Sequence, residues 1–291
     1  MKYGIYYAFW GKQWGEDYIP YIRKVKRLGF DILEVGCQGF QNESFETCRE
    51  LGKVAKEEGI ILTGGYGPDA AHCISSSNDK IVSQAFDKYR DMFEKMAAAD
   101  IHLLGGGLYS YWPVDYSAPF DKKDDWERSV TNMKKLAGYA SEYDICLNME
   151  VLNRFEGYLL NTAEEGLQYV KDVDRPNVKL MLDTFHMNIE EDDFKDAILS
   201  SKSFLGHFHI GEANRRPPFK GGRIPWQEIG DALNAIDYQG AVVMEPFIKM
   251  GGEIGRDIRI WHDLSCGCSD DTMDQLASAS LSFIRNTFER E

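Results

Sequence analysis

Four ionisable residues, each directly after a short apolar run, have side chains that suit a metal ion. They are Glu150 in "LNMEV", Asp183 in "LMLDT", His209 in "HFHI" and Glu245 in "VVMEP". Carboxylates that meet in a buried place repel one another unless a cation or protons lie among them. Three carboxylates and one imidazole form a hard, oxygen-rich ligand set, which favours Mn²⁺, Co²⁺ or Mg²⁺ over a structural zinc. We therefore predict one divalent metal ion per chain at these four residues.

The surrounding sequence predicts the elements that must position these side chains. Short, near-continuous apolar runs alternate with longer amphipathic segments, a pattern typical of parallel strands covered by helices. The predicted strands cover residues 3–9, 31–37, 60–66, 101–107, 145–151, 178–184, 204–210 and 241–247. The predicted helices cover residues 18–29, 44–59, 79–99, 125–143, 162–173, 192–201, 225–237 and 272–291. This α/β pattern indicates a (β/α)8 TIM barrel in a single catalytic domain of residues 1–291, with a doubly wound sheet as the competitor.

In such a barrel the four candidate residues lie at the carboxyl ends of strands five to eight. Barrels of this type carry their active sites at that end. Capping of the following helix is the alternative for each acid taken alone, because acids favour the first turn of a helix. Capping does not require an imidazole on strand seven, so it does not account for His209 together with the three acids.

Further polar and aromatic residues lie within a few positions of the strand ends. Glu156 follows strand five, and Arg215 and Arg216 follow strand seven, where an arginine can anchor an oxygen-rich substrate through paired donors. Gly105–Gly107 end strand four and run into the aromatic segment that contains Trp112. These glycines open no helix, so they suit a sugar beside an aromatic wall better than a phosphate. Solvated loop charges and packing at the barrel mouth are the alternatives for the arginines and for Trp112.

The remaining histidines and acids have plainer interpretations. His207 shares its strand face with His209 and is expected to pack or hydrogen-bond inside the barrel. The acids at 190–193 are expected to begin the next helix, with His186 in the loop before them. Surface or structural roles are expected for His72, His102 and His262. The loops around 109–123 and 249–271 are long enough to be functional.

Charge and composition exclude several classes of partner. The 291 residues carry a net charge of −14, which argues against duplex nucleic acid or an anionic membrane surface. No apolar run reaches the roughly 18 residues of a membrane span, and the N-terminus lacks the apolar core of a signal peptide. Six scattered cysteines, including Cys266 and Cys268 without a second pair, indicate reduced thiols in a cytoplasmic enzyme.

Five segments resemble one family closely, and two more extend the resemblance over essentially the whole chain. "MEVLNRFEGY" (149–158), "MLDTFHMNIEED" (181–192), "HFHIGE" (207–212), "RIPWQEIG" (223–230) and "VVMEPF" (242–247) resemble the D-tagatose 3-epimerase/D-psicose (allulose) 3-epimerase family. "GIYYAFW" (4–10) and "LYSYWPVDY" (108–116) are the additional segments. The resemblance implies a (β/α)8 barrel, free ketoses as substrates, Mn²⁺ or Co²⁺ as the metal, and a homodimer or homotetramer.

Carried over by position, the resemblance also implies roles for individual residues. The metal ligands are the four residues already selected from the strand ends, and Glu150 and Glu245 are in addition the acid/base pair. The substrate contacts form two groups, with His186, Glu156 and Arg215 at the O1–O3 end of the sugar and Tyr6, Gly107 and Trp112 towards the other end. Relatives often carry alanine at position 107 and tyrosine at position 9, and the segment "RRPPFKGGRIPW" (215–226) is one residue longer than in most members.

The residues and the resemblance together predict a metal-dependent ketose 3-epimerase that interconverts D-fructose and D-psicose, and also D-tagatose and D-sorbose. The C2 carbonyl acidifies the hydrogen on C3, and a metal that chelates O2 and O3 would stabilise the enediolate. Glu150 and Glu245 would then exchange a proton on opposite faces of C3. The alternatives are an aldose–ketose isomerase, a metal-dependent abasic-site endonuclease, and a sugar-phosphate epimerase that uses the glycine-rich "MGGEIG" (250–255).

Overall fold

Eight parallel strands close into a barrel in chain order, so that β1 pairs with both β2 and β8. The computed structural model describes residues 1–117 and 119–289. The strands are β1 (Lys2–Tyr6), β2 (Ile32–Gly36), β3 (Ile61–Gly65), β4 (Leu103–Gly106), β5 (Cys146–Glu150), β6 (Val178–Asp183), β7 (Leu205–Ile210) and β8 (Ala241–Met244). The predicted (β/α)8 fold class is confirmed, and the doubly wound sheet is excluded because the sheet has no open edge.

Ten α-helices in the described part of the chain surround the barrel. They are α1 (Ile19–Leu28), α2 (Phe45–Glu58), α3 (Asp79–Ala98), α4 (Lys122–Ser141), α5 (Ala163–Val173), α6 (Thr184–Glu190), α7 (Phe194–Ser201), α8 (Trp226–Ala235), α9 (Gly252–Asp257) and α10 (Asp270–Phe288). The eight predicted helices are all present with small shifts at their ends. Residues 118, 290 and 291, which fall in the predicted loop 109–123 and the predicted last helix, lie outside the described residues. The domain bounds of 1–291 stay a prediction.

Two short helices, α6 and α9, were not predicted. α6 begins directly after β6, so His186 lies on a helix and not in a loop as expected. α9 lies within the long loop 249–271 and packs on the segment after β1, where the Ile254 N–H donates to the Lys12 carbonyl at 3.2 Å. Gly252 at the start of α9 has a φ of +70°, and a Cβ there would meet the Lys12 carbonyl oxygen at 2.2 Å. Gly252 of "MGGEIG" thus serves a tight chain crossing.

The acids at 190–193 do not all begin the next helix, as the sequence led us to expect. Only Asp193 caps α7, accepting a hydrogen bond from the Asp196 N–H at 2.9 Å. Glu190 ends α6 and accepts from the guanidinium of Arg154 in the loop after β5, with one distance of 2.7 Å. Glu191 accepts from the Ala163 N–H at the start of α5, at 2.6 Å. These two acids therefore connect neighbouring βα units, because they accept hydrogen bonds from the loop after β5 and from the start of α5.

A register shift between β6 and β7 determines which side chains face the barrel interior. Leu180 pairs with Leu205, but the next pair is Met181 with His207, so Gly206 is the extra residue of a bulge. The shift brings Asp183 opposite His209. Because successive strand residues point to opposite faces, a pairing without the bulge would set Asp183 beside the outward-facing Phe208.

Candidate active site

The four predicted ligand residues meet at one point of the barrel mouth. Glu150 and Asp183 are the last residues of β5 and β6, His209 lies near the end of β7, and Glu245 follows β8. Each offers one ligand atom, and these atoms all lie within 4.8 Å of one another. Glu150, Asp183 and His209 are buried, and the Glu245 side chain is 16% exposed. We call these four residues the acid–imidazole cluster.

Asp183 combines the two roles that were alternatives from the sequence. Its Oδ1 accepts a hydrogen bond from the Phe185 N–H at 2.8 Å and so caps α6. Its Oδ2 lies 3.3 Å from Nη1 of Arg215 and 3.9 Å from Nε2 of His186. A carboxylate has two oxygens, so one can cap the helix while the other lies in the acid–imidazole cluster.

His209 is oriented so that one ring nitrogen faces the acids of the cluster. Its Nε2 lies 2.6 Å from Oε1 of Glu34, and its Nδ1 lies 3.7 Å from Oε1 of Glu245. Nδ1 is buried without a hydrogen-bond partner in the described part of the chain. An unpaired imidazole nitrogen among three carboxylates is the donor set that a divalent cation requires. The residues of the cluster therefore fit a divalent metal ion.

Glu34 is a functional candidate that the sequence analysis missed. It lies in the middle of β2 and its side chain is only 1% exposed. Its carboxylate accepts from the Thr63 hydroxyl at 2.8 Å and contacts Nε2 of His207 at 2.8 Å. The expectation that His207 hydrogen-bonds inside the barrel is thereby confirmed. The signal in the sequence was a single acid inside the apolar run "ILEVG", whose five residues are all buried.

Burial and neighbouring charges shift the pKa values of the buried groups. Burial raises the pKa of Glu150 well above its usual 4.5, and the nearby charge of Glu245 raises it further. Burial alone would also raise the pKa of Glu34, but His209 and His207 lower it far below the usual range. Burial opposes protonation of His209, yet Glu34 and Glu245 raise its pKa well above 6.5. The site therefore holds buried acids and bases whose charges shift the pKa values of their neighbours.

Arg215 lies against the acid–imidazole cluster and connects it to Glu156. Its Nη1 donates to Oε2 of Glu245 at 2.7 Å, and its Nη2 donates to Oε1 of Glu156 at 3.5 Å. The guanidinium lies 3.7 Å from the centre of the Phe185 ring, a stacked geometry that holds its plane. Burial raises the pKa of the Glu156 carboxyl, but the charges of Arg215 and His186 and the hydrogen bonds to this carboxylate together lower the pKa below 4.5.

His186 presents a proton to the cavity because its other ring nitrogen is occupied. The Asn153 backbone N–H donates to Nδ1 of His186 at 3.1 Å, so the neutral ring carries its proton on Nε2. Nε2 lies 3.6 Å from Oε1 of Glu150. Burial lowers the pKa of His186, which keeps the ring neutral.

A cavity of about 320 Å³ opens above the cluster, and every predicted substrate-contacting residue lines it. The lining includes Tyr6, Gly107, Trp112, Glu156, His186 and Arg215. The sequence analysis missed Trp14 and Phe247, whose ring centres lie 6.4 Å apart, and the lining residues Asp257 and Ile258 at the end of α9. Their contribution depends on loops that return from distant parts of the chain.

His72, His102, His262 and the six cysteines are not among the described residues that line the cavity. His72 pairs with Asp69 at 2.8 Å, His102 pairs with Asp100 at 3.0 Å, and His262 is exposed. All six cysteines are free thiols. Within the described residues, none of the helices combines the length and the apolar character that crossing a membrane requires.

Comparisons with known proteins agree with this geometry. The model of the family described as "Xylose isomerase-like TIM barrel" matches residues 22–264. The chain is 50% identical over 289 residues to a D-psicose 3-epimerase of Ruminiclostridium cellulolyticum, covering 99% of this chain and 98% of the relative. It is also 50% identical over 285 residues to a D-psicose 3-epimerase of Agrobacterium fabrum, covering 98% of each. The chain belongs to the ketose 3-epimerase family.

A solved structure of this family superposes closely on the chain. The D-psicose 3-epimerase of Clostridium cellulolyticum H10, determined with D-tagatose, gives a TM-score of 0.97 at 50% identity and covers 99% of both chains. The family resemblance drawn from the motifs is therefore confirmed, and so is the enzyme class, an epimerase among the isomerases.

Proposed function

We propose that this ketose 3-epimerase interconverts D-fructose and D-psicose, and also D-tagatose and D-sorbose, with the help of one divalent cation. The single observation that carries the proposal is the meeting of Glu150, Asp183, His209 and Glu245 beneath a sugar-sized cavity. Relatives that are 50% identical over nearly the whole chain carry the name D-psicose 3-epimerase, which supports the substrate.

The acid–imidazole cluster would hold the cation through three carboxylates and Nδ1 of His209. When bound there, the cation supplies Lewis-acid stabilisation to the developing negative charge on the substrate oxygens. Mn²⁺ is the proposed ion, with Co²⁺ or Mg²⁺ as alternatives, because the donor set is rich in hard oxygen ligands. Loss of turnover with EDTA, and its recovery on addition of each ion separately, measure the dependence and rank the metals.

Glu150 and Glu245 are the proposed acid/base pair. They extend from β5 and from the end of β8, so they approach the cavity from different sides of the barrel. One carboxylate removes the proton from C3 to give an enediolate, and the other, in its protonated form, delivers a proton to the opposite face. Because burial raises the pKa of Glu150, its ionised form is a stronger base than an exposed carboxylate.

The remaining cavity residues would bind and orient the ketose. The Nε2–H of His186 and the guanidinium of Arg215 are proposed to donate to the O1–O3 end, where charge develops on the ketone oxygen. Glu156, which contacts Arg215 at 3.5 Å, would accept from a substrate hydroxyl at the same end. Tyr6, Trp112 and Gly107 would form the apolar wall at the other end.

Two isosteric substitutions test the acid/base pair. Glu150→Gln or Glu245→Gln is expected to lower turnover by at least about 10²–10⁴-fold, the usual contribution of a general acid or base. The measurement is conversion of D-fructose to D-psicose, together with exchange of the C3 hydrogen for deuterium in D₂O. Glu228→Gln, at an exposed position on α8, is the matched control and should retain wild-type turnover.

Near-wild-type exchange at C3 in either active-site variant would overturn the two-carboxylate scheme. Formation of glucose or mannose from fructose would instead identify the protein as an aldose–ketose isomerase. Metal content is measured for every variant, since Glu150 and Glu245 are also proposed ligands.

A further inference from the structure

We propose that Glu34 is a positioning residue that fixes the ring of His209 in the tautomer able to bind the cation. Glu34 lies on β2, on the far side of His209 from the acids of the cluster, and it does not line the substrate cavity. The inference rests on the proposed metal site, because it concerns how one ligand of that site is prepared.

The two carboxylate oxygens of Glu34 have different partners, and Oε1 is the oxygen that contacts His209. Oε1 lies 2.6 Å from Nε2 of His209, whereas Oε2 is shared by Nε2 of His207 and the Thr63 hydroxyl, each at 2.8 Å. An ionised carboxylate only accepts hydrogen bonds. The His209 ring must therefore carry a proton on Nε2 in order to make this contact.

That proton leaves the other nitrogen of His209 as the ligand atom. The ring nitrogen that faces Glu245 is Nδ1, and it has no hydrogen-bond partner among the described residues. If the proton were instead on Nδ1, the ring would direct an N–H into the cluster and could not coordinate a cation. A carboxylate on the outer nitrogen of a ligating histidine sets the tautomer and increases the basicity of the ligand.

The position of Glu34 is itself fixed from two sides. His207 and Thr63 both contact Oε2, so the carboxylate cannot rotate without losing these hydrogen bonds. The Glu34, His207 and His209 side chains are at most 3% exposed, which excludes bulk water as a substitute acceptor. The hydrogen-bond network Thr63–Glu34–His207 therefore serves as a rigid support for the His209 ring.

The test compares Mn²⁺ affinity in variants that remove or keep the acceptor. Glu34→Leu removes it and is expected to raise the Kd for Mn²⁺ by about 10–100-fold. Glu34→Gln keeps an amide oxygen for His209, so its Kd should stay closer to that of the wild type. Thr63→Val removes one donor to Oε2 and leaves Oε1 free to accept from His209, so its Kd should rise by less than that of Glu34→Leu. Glu228→Gln, at an exposed position on α8, is the control that should leave the Kd unchanged. The Kd is measured by electron paramagnetic resonance of free Mn²⁺ on folded, metal-stripped protein, and the visible spectrum of Co²⁺-loaded protein reports the ligand set.

The outcomes separate this inference from the metal site on which it rests. His209→Phe is included because it removes the ligand itself. If His209→Phe and Asp183→Asn leave the Kd unchanged, the proposed metal site is wrong. If those two raise the Kd while Glu34→Leu does not, the role of Glu34 is wrong and the metal site remains. Should Glu34→Leu not fold, the test rests on Glu34→Gln alone. If Glu34→Gln raises the Kd for Mn²⁺ as much as His209→Phe does, the inference is overturned.

Discussion

At the scale of single residues, several side chains serve the fold and the site at once. Asp183 caps α6 with one oxygen and contacts Arg215 in the site with the other. His186 accepts the Asn153 N–H on one nitrogen and presents its proton on the other. Such pairing of a structural contact with a functional one fixes the rotamer of each group before a substrate binds. Preorganisation of this kind lowers the cost of ordering the site during catalysis.

A substitution at Gly107 tests whether this residue forms part of the cavity wall that the sugar contacts. A Cβ at this position would meet only Leu152 Cδ1, at 3.3 Å, and the backbone does not have a positive φ. We expect Gly107→Ala to change the free energy of unfolding by less than about 1 kcal/mol. The added methyl group should tighten the wall and lower KM for D-fructose, as measured by steady-state kinetics.

Gly106 is the contrasting position for that test. Its φ is +130°, and a Cβ would lie 2.2 Å from the Tyr66 carbonyl oxygen. Gly106→Ala should therefore destabilise the protein by at least about 1–3 kcal/mol in urea unfolding. An unchanged KM in Gly107→Ala would mean that Gly107 does not approach the sugar, whereas a higher KM would mean that the methyl group obstructs the sugar.

At the scale of elements, one bulge aligns the ends of β6 and β7. The bulge at Gly206 turns His207 and His209 inward and sets His209 beside Asp183. A Cβ at Gly206 would meet Oδ1 of Asn148 at 2.2 Å, so the bulge requires a residue without a side chain. The site thus depends on one small residue that takes no part in binding.

The contact between Glu190 and Arg154 connects α6 to the loop after β5, and its contribution to stability is predicted to depend on pH. Hydrogen bonds from Arg154 lower the pKa of Glu190 below its usual 4.5, and the Glu190 side chain is 4% exposed. A lowered folded-state pKa contributes stability that is fully present above about pH 4.5 and is lost as the pH falls through the folded-state pKa. Glu190→Gln should therefore lower Tm at pH 7 and differ less from the wild type in strong acid.

Differential scanning calorimetry across this pH range measures the effect. Glu228→Gln serves again as the control, because this acid lies exposed on α8. A Tm difference for Glu190→Gln that stays constant from pH 7 to strong acid would show that the contact does not depend on the ionised carboxylate.

At the scale of the whole molecule, several large apolar side chains remain exposed. Trp261 is 68% exposed, Phe155 is 61% exposed and Phe120 is 54% exposed. Exposed apolar surface is typical of regions that bind another protein surface. We therefore keep the prediction of a homodimer or homotetramer. Sedimentation equilibrium should give two or four times the 33.2 kDa chain mass, and a monomer at micromolar concentration would contradict it.

Much of the fold and the cluster could be predicted from the sequence. Each strand was visible as an apolar run, and each of Glu150, Asp183 and Glu245 was visible as an acid that ends one. Glu34 was missed because an acid in the middle of such a run gives no local sign of the two histidines that face it. α6 was missed because a seven-residue helix directly after a strand has too few turns to show a period.

The sequence by itself determined which residue types stand at the strand ends and that eight strands alternate with helices. It could do so because the spacing of apolar residues is local information that each segment carries. Only the tertiary structure decided which nitrogen of His209 faces the acids, that Glu34 holds the other nitrogen, and how the bulge at Gly206 aligns β7 with β6. These features depend on contacts between strands that are distant in sequence, and a change of a few ångströms in such a contact leaves the apolar pattern unchanged.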